Sequence, residues 1–198
     1  MERVAALAVW LFGAAPLAAQ WSAGVEVGML RFWGTSIDTV TPGDPTRARP
    51  SPSTSFSVKV QRDFGWVGVG IGVLYSKGGA GVENATVAVE EKNLIKVYEV
   101  APEVSFRIAK PRPGGALRLR VGPLFDRWSF TGGDGTRRRV GARAAVSLDW
   151  PLGGRWMGSL QGGAAVSTSV FNVEDLPPEF GRQVTWRRAV SAGLQVRL

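Results

Sequence analysis

Apolar and polar positions alternate along most of this chain, from its twenty-first residue to its end. In the clearest segment, residues 54–64, Val58 and Val60 lie on one face of an extended chain and Ser57 and Lys59 lie on the other. A period of two sustained over this length predicts a β-strand whose two faces meet different environments. Eight segments carry the pattern: residues 21–29, 54–64, 67–76, 98–108, 117–126, 140–150, 156–170 and 186–198.

The connections between these segments alternate in length. Short connections cover residues 65–66, 110–115 and 151–155, and longer polar ones cover residues 34–52, 78–92, 129–137 and 172–184. Strands of about ten residues, tilted by about 40°, cross an apolar band of about 25 Å. The pattern therefore predicts an all-β fold, an eight-stranded antiparallel up-and-down transmembrane β-barrel. Its short turns are expected in the periplasm and its long loops outside the cell.

The direction of the two faces decides between a membrane barrel and a soluble one. A soluble lipocalin-like barrel turns its apolar face inward around a ligand. Here the polar face carries many glycines and serines, which suit a crowded lumen, so the apolar face is expected to meet lipid. Aromatic residues near the strand ends are expected to form the two girdles of a membrane barrel. These are Trp21, Phe32, Trp33, Phe64, Trp66, Tyr75, Tyr98, Trp128, Trp150, Trp156 and Trp186.

The N-terminus has the pattern of a secretory signal peptide. A charged start is followed by an apolar stretch and by small residues that end at Ala19. We expect residues 1–19 to be a cleaved signal peptide and residues 20–198 to form the barrel domain. A retained membrane anchor is the alternative, and the run is short for a spanning helix.

Composition excludes several kinds of chemistry. The chain has no Cys and no His, so it offers no disulfide, no thiolate or imidazole metal ligand and no Ser-His or Cys-His catalytic pair. No cofactor and no metal site are expected. The net charge is +8, which in an exported barrel favours lipid phosphates over nucleic acid as the partner.

Many charged residues fall on the face expected to line the lumen. An unpaired charge in a narrow lumen is costly, so a network of ion pairs is the expected arrangement. The residues concerned are Glu26, Lys59, Asp63, Glu99, Glu103, Arg107, Arg118, Arg120, Asp126, Arg139, Arg143, Asp149, Arg187 and Arg197.

Two of the short turns predict strand register. A two-residue turn at Gly65 and Trp66 suits a type II′ hairpin. It sets Lys59, Gln61 and Asp63 opposite Gly72, Gly70 and Gly68, so that long polar side chains lie over glycines. A symmetric turn near Pro113 pairs Phe106 with Leu119, Ser105 with Arg120 and Pro102 with Pro123, where the missing N–H groups should interrupt the ladder.

One pair of acids resembles a catalytic arrangement. Glu99 and Glu103 share a face of one strand, and two carboxylates can divide the roles of general acid and general base. A lumen network paired with arginines is the favoured alternative, because arginines are abundant on the neighbouring strands.

A second group of cations falls on the lipid-facing register. All but one of these residues lie near the outer rim, and Arg62 alone lies near the inner one. Snorkelling explains why charges lie at strand ends, but not the excess at one end. We hypothesise that the outer residues bind phosphates of outer-leaflet lipid, lipopolysaccharide above all. They are Arg31, Lys77, Lys96, Arg127, Arg138 and Arg188.

The layout resembles the small outer-membrane β-barrel family of OmpA/OmpX type, including the generic outer membrane protein beta-barrel domain group. The resemblance covers residues 20–198 and implies a bacterial outer-membrane protein. Enzymes with membrane barrels generally use a histidine, which this chain lacks. The last strand, residues 186–198, is similar to the family's signal for the barrel assembly machinery, although it ends in Leu198 instead of an aromatic residue.

Three classes of function remain open on the sequence. The leading one is a non-enzymatic structural or surface-interaction barrel with a lumen plugged by side chains. Its first long loop, rich in Pro, Thr and Arg, is expected to be an exposed, mobile segment. A narrow channel or small-solute transporter is the second class, and a soluble lipocalin-like binder is the third.

Overall fold

The structure is a computed structural model. It describes residues 20–38, 46–83, 88–111, 113–131, 135–172 and 180–198. The expected signal peptide, residues 1–19, lies outside the described residues. Within the described ranges, no helix is long and apolar enough to cross a membrane.

The described residues form nine antiparallel strands in one closed sheet. They are β1 (Gln20–Asp38), β2 (Arg47–Pro50), β3 (Ser53–Phe64), β4 (Val67–Glu83), β5 (Ala88–Ala109), β6 (Ala116–Phe130), β7 (Thr136–Gly153), β8 (Trp156–Ser167) and β9 (Phe180–Arg197). Strands β2 and β3 both lie between β1 and β4, so together they occupy one position in the barrel. Pairing of β1 with β9 closes the sheet. The prediction of an eight-stranded barrel is confirmed.

The stagger of the strands sets the width of the barrel. Following paired residues around the sheet from Trp21 leads back to β1 at Arg31, an offset of ten residues. For eight strands, this offset corresponds to a tilt of about 40° and to a narrow interior that side chains can fill.

Most strands extend further at the outer end than their sequence pattern predicts, whereas β8 ends at Ser167 and not at residue 170. Strand β1 continues to Asp38, β5 begins at Ala88 and β9 begins at Phe180. The prediction that the first long loop is an exposed, mobile segment is also partly wrong. Residues Arg47–Pro50 form β2, and Ala48 is buried. Backbone pairing extends these hairpins beyond the apolar band, where side-chain alternation no longer marks a strand.

The orientation of the faces agrees with the membrane prediction. Ile71 and Val73 are 46% and 47% exposed on the outside of the barrel, whereas Lys59 and Arg120 inside it are 6% and 1% exposed. This arrangement contradicts the lipocalin-like alternative, which requires the opposite orientation.

The register of the two predicted hairpins is confirmed. Strands β3 and β4 pair Lys59 with Gly72, Gln61 with Gly70 and Asp63 with Gly68. A Cβ atom at Gly68 would lie 2.5 Å from Asp63 Oδ1, so a polar side chain does cover that glycine. At Gly72 the nearest atom would be 3.9 Å away, so the packing explanation is wrong there.

The second register has the expected interruption. Strands β5 and β6 pair Phe106 with Leu119 and Ser105 with Arg120. Their pairing stops between Val104 and Val100, and Pro102 lies in that gap. A proline cannot donate to the ladder, which accounts for the break.

Candidate functional site: the lumen and the outer rim

Charged residues fill the lumen in three layers, of which the inner layer lies nearest the short turns. Arg118 occupies its centre. The Nη2 atom of Arg118 lies 2.7 Å from Asp63 Oδ2, and its Nε atom lies 3.1 Å from Asp149 Oδ2. Asp63 and Arg118 lie on β3 and β6, which are not neighbours in the sheet. This ion pair therefore spans the lumen.

The middle layer contains two acids and two bases. Lys59 Nζ lies 2.7 Å from Glu26 Oε1, and Arg120 Nη1 lies 2.6 Å from Glu103 Oε1. Arg120 also donates to Gln61 Oε1 at 2.6 Å. All four charged side chains are buried, and their formal charges cancel.

The upper layer has the same composition. Glu99 accepts hydrogen bonds from Arg143, at 2.9 Å, and from Arg187. The other nitrogen of the Arg187 guanidinium lies 3.6 Å from Asp126 Oδ1. Two acids again meet two bases, so this layer is formally neutral.

The two acids considered for catalysis lie in different layers. Glu99 pairs with Arg143 and Arg187 in the upper layer, and Glu103 pairs with Arg120 in the middle layer. Each carboxylate is held by arginines, so the structure does not bring the two together as an acid–base pair. Among the described residues, no group of three Asp or Glu side chains could hold a metal ion.

Two arginines expected in the network, Arg107 and Arg197, form no ion pair with an acid of the described residues, and a third, Arg139, has other contacts. Arg139 donates to the carbonyl oxygen of Ser169 and to Asn172 Oδ1, near the outer end. Arg197 donates to the carbonyl oxygen of Gly114 at 2.9 Å. Arg107 Nε is buried without a hydrogen-bond partner.

An apolar cluster, which we call the cap, lies in the lumen above the upper layer. Its buried members are Leu30, Phe32, Ile95, Val97, Trp128 and Val170. Phe32 and Trp128 pack edge to face with ring centroids 5.7 Å apart. Both were expected in the aromatic girdles, and that assignment is wrong because they point into the lumen.

The cap was missed although parity along the strands indicates it. Leu30 and Phe32 share the parity of the lumen residue Glu26, and Trp128 shares that of Asp126. Side chains two residues apart lie on the same face of a strand. Apolar character alone therefore misassigns these residues to the lipid face, and parity along the strand is the better guide.

Cavities in the lumen are unevenly distributed. A cavity of about 250 Å³ lies at the inner end, beside Asp63, Arg107 and Arg118. Two voids of about 30 Å³ each lie beside the middle and upper layers. The space between Trp128 and Arg187, beneath the cap, has no measurable volume.

The outer rim brings its cations together in a way that the sequence did not reveal. The six residues form three directly opposed pairs on neighbouring strands: Arg31 with Arg188, Lys77 with Lys96, and Arg127 with Arg138. None of the six has an ion pair with another described residue. Like charges directly opposite on a sheet are destabilising.

Aromatic rings accompany the cations at both rims. The guanidinium of Arg188 lies 4.5 Å from the ring centroid of Trp33. At the inner rim, Arg62 lies over the rings of Trp21 and Phe64 at 5.5 and 5.0 Å. Such contacts are typical of cations held at an interface.

Comparison with solved structures finds small outer-membrane barrels. Neisserial surface protein A aligns over 92% of this chain and 100% of its own, at 11% identity and a TM-score of 0.56. OprG from Pseudomonas aeruginosa aligns over 91% of this chain and 96% of its own, at 11% identity and a TM-score of 0.57.

A third similar structure contains a bound ligand. Ail from Yersinia pestis, in complex with the heparin analogue sucrose octasulfate, aligns over 92% of this chain and 100% of its own, at 12% identity and a TM-score of 0.52. No family model matches the chain, and no curated protein matches it in sequence.

The fold and its surface together define the class. The barrel is closed, its exterior is apolar between two rims, and its solved neighbours are outer-membrane barrels. The chain therefore has the fold of the small eight-stranded β-barrels of bacterial outer membranes.

Proposed function

We propose that this protein is a non-enzymatic barrel whose outer rim binds phosphates of outer-leaflet lipid, lipopolysaccharide above all. The observation that carries the proposal is the set of three cross-strand cation pairs, Arg31 with Arg188, Lys77 with Lys96, and Arg127 with Arg138. Each pair places two positive charges on adjacent strands, at the end where lipid headgroups lie.

The energetics of such a pair favour an anion between its members. Opposed side chains on neighbouring strands have Cβ atoms about 5 Å apart, and like charges at that separation repel. A phosphate has several oxygen atoms that can accept hydrogen bonds from both cations at once. A bound phosphate therefore attracts both cations and offsets the repulsion between them.

Four of the cations form one continuous patch. Lys77, Lys96, Arg127 and Arg138 lie on the consecutive strands β4, β5, β6 and β7. Tyr75 and Tyr98 pack beside the patch on the membrane side, with ring centroids 5.0 Å apart. At a membrane interface, the lipid phosphates lie outside the acyl chains. The cations of the patch lie outside the two aromatic rings, which is the same order.

The complex of Ail with a sulfated sugar analogue offers support by analogy. It shows that a barrel of this fold can bind a polyanion. The analogy extends to the chemistry of the ligand and not to particular residues.

Lipid co-purification tests this proposal. The triple variant Arg127→Ala/Arg138→Ala/Arg188→Ala removes both cations of the Arg127–Arg138 pair and one cation of the Arg31–Arg188 pair. With about 1 kcal/mol lost per cation near a lipid surface, affinity should fall roughly a hundredfold. Mass spectrometry of bound lipopolysaccharide, after purification in mild detergent, measures the effect.

Two controls define the result. Arg62→Ala removes an outward cation from the inner rim and should leave the bound lipopolysaccharide unchanged. A triple lysine variant at the same three outer positions keeps the charge and should retain most of the lipid. Equal lipid in the wild-type and triple alanine proteins would refute the proposal.

We propose further that side chains plug the lumen. The support is the series of three ion-paired layers and the apolar cap, with voids of only about 30 Å³ each beside the middle and upper layers. A void of that size holds about one water molecule. Purified protein in planar bilayers should therefore show no single-channel current, whereas steady conductance would favour a narrow channel.

Assembly through the barrel assembly machinery is part of the same proposal.

A further inference from the structure

The inner end of the lumen contains a cavity that the lipid proposal does not use. Its volume is about 250 Å³, and it lies between the barrel wall and the turn that contains Gly114 and Gly115. Its charged lining residues are Asp63, Arg107, Lys110, Arg118, Asp149 and Arg197.

The charge of this cavity differs from that of the layers above it. The middle and upper layers each contain two acids and two bases, so they are formally neutral. Around the cavity, two aspartates face four cations. Arg118 satisfies both aspartates, which leaves the other three cations without a described acid.

Arg107 has the least satisfied side chain in the cavity. It lies directly opposite Arg118 on the neighbouring strand, so two guanidinium groups face each other. Its Nε atom is buried without a hydrogen-bond partner, and the guanidinium forms no ion pair with an acid of the described residues. An arginine held in this way has donors available in a fixed planar arrangement that matches a carboxylate or a phosphate.

The remaining two cations flank the same space. Lys110 lies on the turn, with its Nζ atom 5.5 Å from the ring centroid of Trp66. Arg197 uses Nη2 to donate to the carbonyl oxygen of Gly114, which holds its guanidinium at the cavity wall. Neither contact neutralises the charge.

We propose that the inner cavity binds a small soluble oxyanion from the periplasm, a phosphate or a carboxylate, with Arg107 as its principal ligand. The anion neutralises the excess of positive charge and relieves the opposition of Arg107 and Arg118. The cavity faces the lumen axis, so its ligand is a dissolved molecule and not a membrane lipid. This site is independent of the outer rim.

Titration followed by NMR tests the site residue by residue. The ¹⁵N-labelled full-length protein, refolded in zwitterionic detergent without phosphate, is titrated separately with inorganic phosphate and with acetate. Saturable shifts are expected at the Arg107 Nε–H signal and at the amides of Gly114 and Gly115. The probe with the lower Kd identifies the preferred oxyanion, and chloride at equal ionic strength measures simple screening.

Variants separate specific binding from general charge. Arg107→Gln should weaken binding at least tenfold, and Arg107→Lys should recover part of the loss. The matched control is Arg62→Gln, which removes the same charge at the same end but from the outer face, and it should leave Kd unchanged. If Arg107→Gln does not refold, Lys110→Gln at the exposed turn should weaken binding roughly threefold.

Three outcomes would overturn the proposal. One is the absence of saturable shifts around the cavity with every probe. Another is an equal Kd in the wild-type and Arg107→Gln proteins, and the third is an equal loss in Arg62→Gln. Because the shifts are assigned by residue, failure here leaves the outer-rim proposal untouched, and loss of lipid at the rim does not affect this result.

Discussion

The charged layers and the apolar cap fill the same lumen by opposite means. In the layers, Lys59 and Arg120 are buried and each has an acidic partner within 2.7 Å. In the cap, Leu30 and Trp128 are fully buried and pack through apolar surface. A charged layer fits only one set of partners, whereas an apolar layer tolerates changes of shape at a modest cost. The two regions should therefore respond differently to substitution.

The backbone around the two regions differs as well. The walls of the charged layers contain inward-facing glycines, including Gly68, Gly70 and Gly122, on which neighbouring atoms press closely. The cap is lined instead by large residues such as Phe32 and Trp128. Long charged side chains need space next to the barrel wall, and glycine leaves that space because it has no side chain.

The largest effect is expected from breaking a buried ion pair. Lys59→Met leaves Glu26, which is 4% exposed, without its cation. The loss should be about 3–5 kcal/mol of unfolding free energy, because one buried charge remains uncompensated. Urea unfolding in lipid vesicles, followed by tryptophan fluorescence, measures it.

The double variant Lys59→Met/Glu26→Gln sharpens this prediction. Its glutamine can still accept the hydrogen bond from Ser191 that Glu26 accepts. It should be more stable than the single variant, since no charge is left unpaired. A double variant no more stable than Lys59→Met would show that the cost arises from packing and not from charge.

An intermediate effect is expected from filling a glycine site in the charged region. A Cβ atom at Gly122 would overlap the carbonyl oxygen of Pro102, which is backbone and cannot rotate away. Gly122→Ala should cost about 1–3 kcal/mol. At Gly162, nothing lies within 4 Å of the corresponding position, so Gly162→Ala should change stability by less than about 0.5 kcal/mol. Equal urea midpoints for the two variants would contradict the crowding argument.

The smallest effect is expected in the cap. Ile95 is 1% exposed, and Ile95→Val removes one methylene group at a cost of about 0.5–1.5 kcal/mol. The matched control is Ile71→Val on the lipid face, where the side chain is 46% exposed and lipid fills the space. A loss at Ile95 as large as that of Lys59→Met would remove the distinction between cap and charged layers.

Much of the fold follows from local pattern. The alternation around Val58 and Lys59 identifies a strand and both of its faces, and the turn at Gly65 and Trp66 sets its register with the next strand. Proline chemistry at Pro102 likewise predicts a break in the ladder. These features depend on residues close together in the chain, so a single sequence is enough to predict them.

The sequence also determined which charged side chains enter the lumen, because parity along a strand fixes the face. Tertiary structure alone decided their partners. Arg187 and Glu99 are separated by 88 residues and meet across the lumen, and Arg31 opposes Arg188 only where β9 closes the barrel onto β1. The physical reason is the stagger of the strands. The face on which a side chain lies is set locally, by its position along the extended strand. The height of a side chain in the lumen, and its position on the rim, depend on the offset that accumulates around the closed sheet.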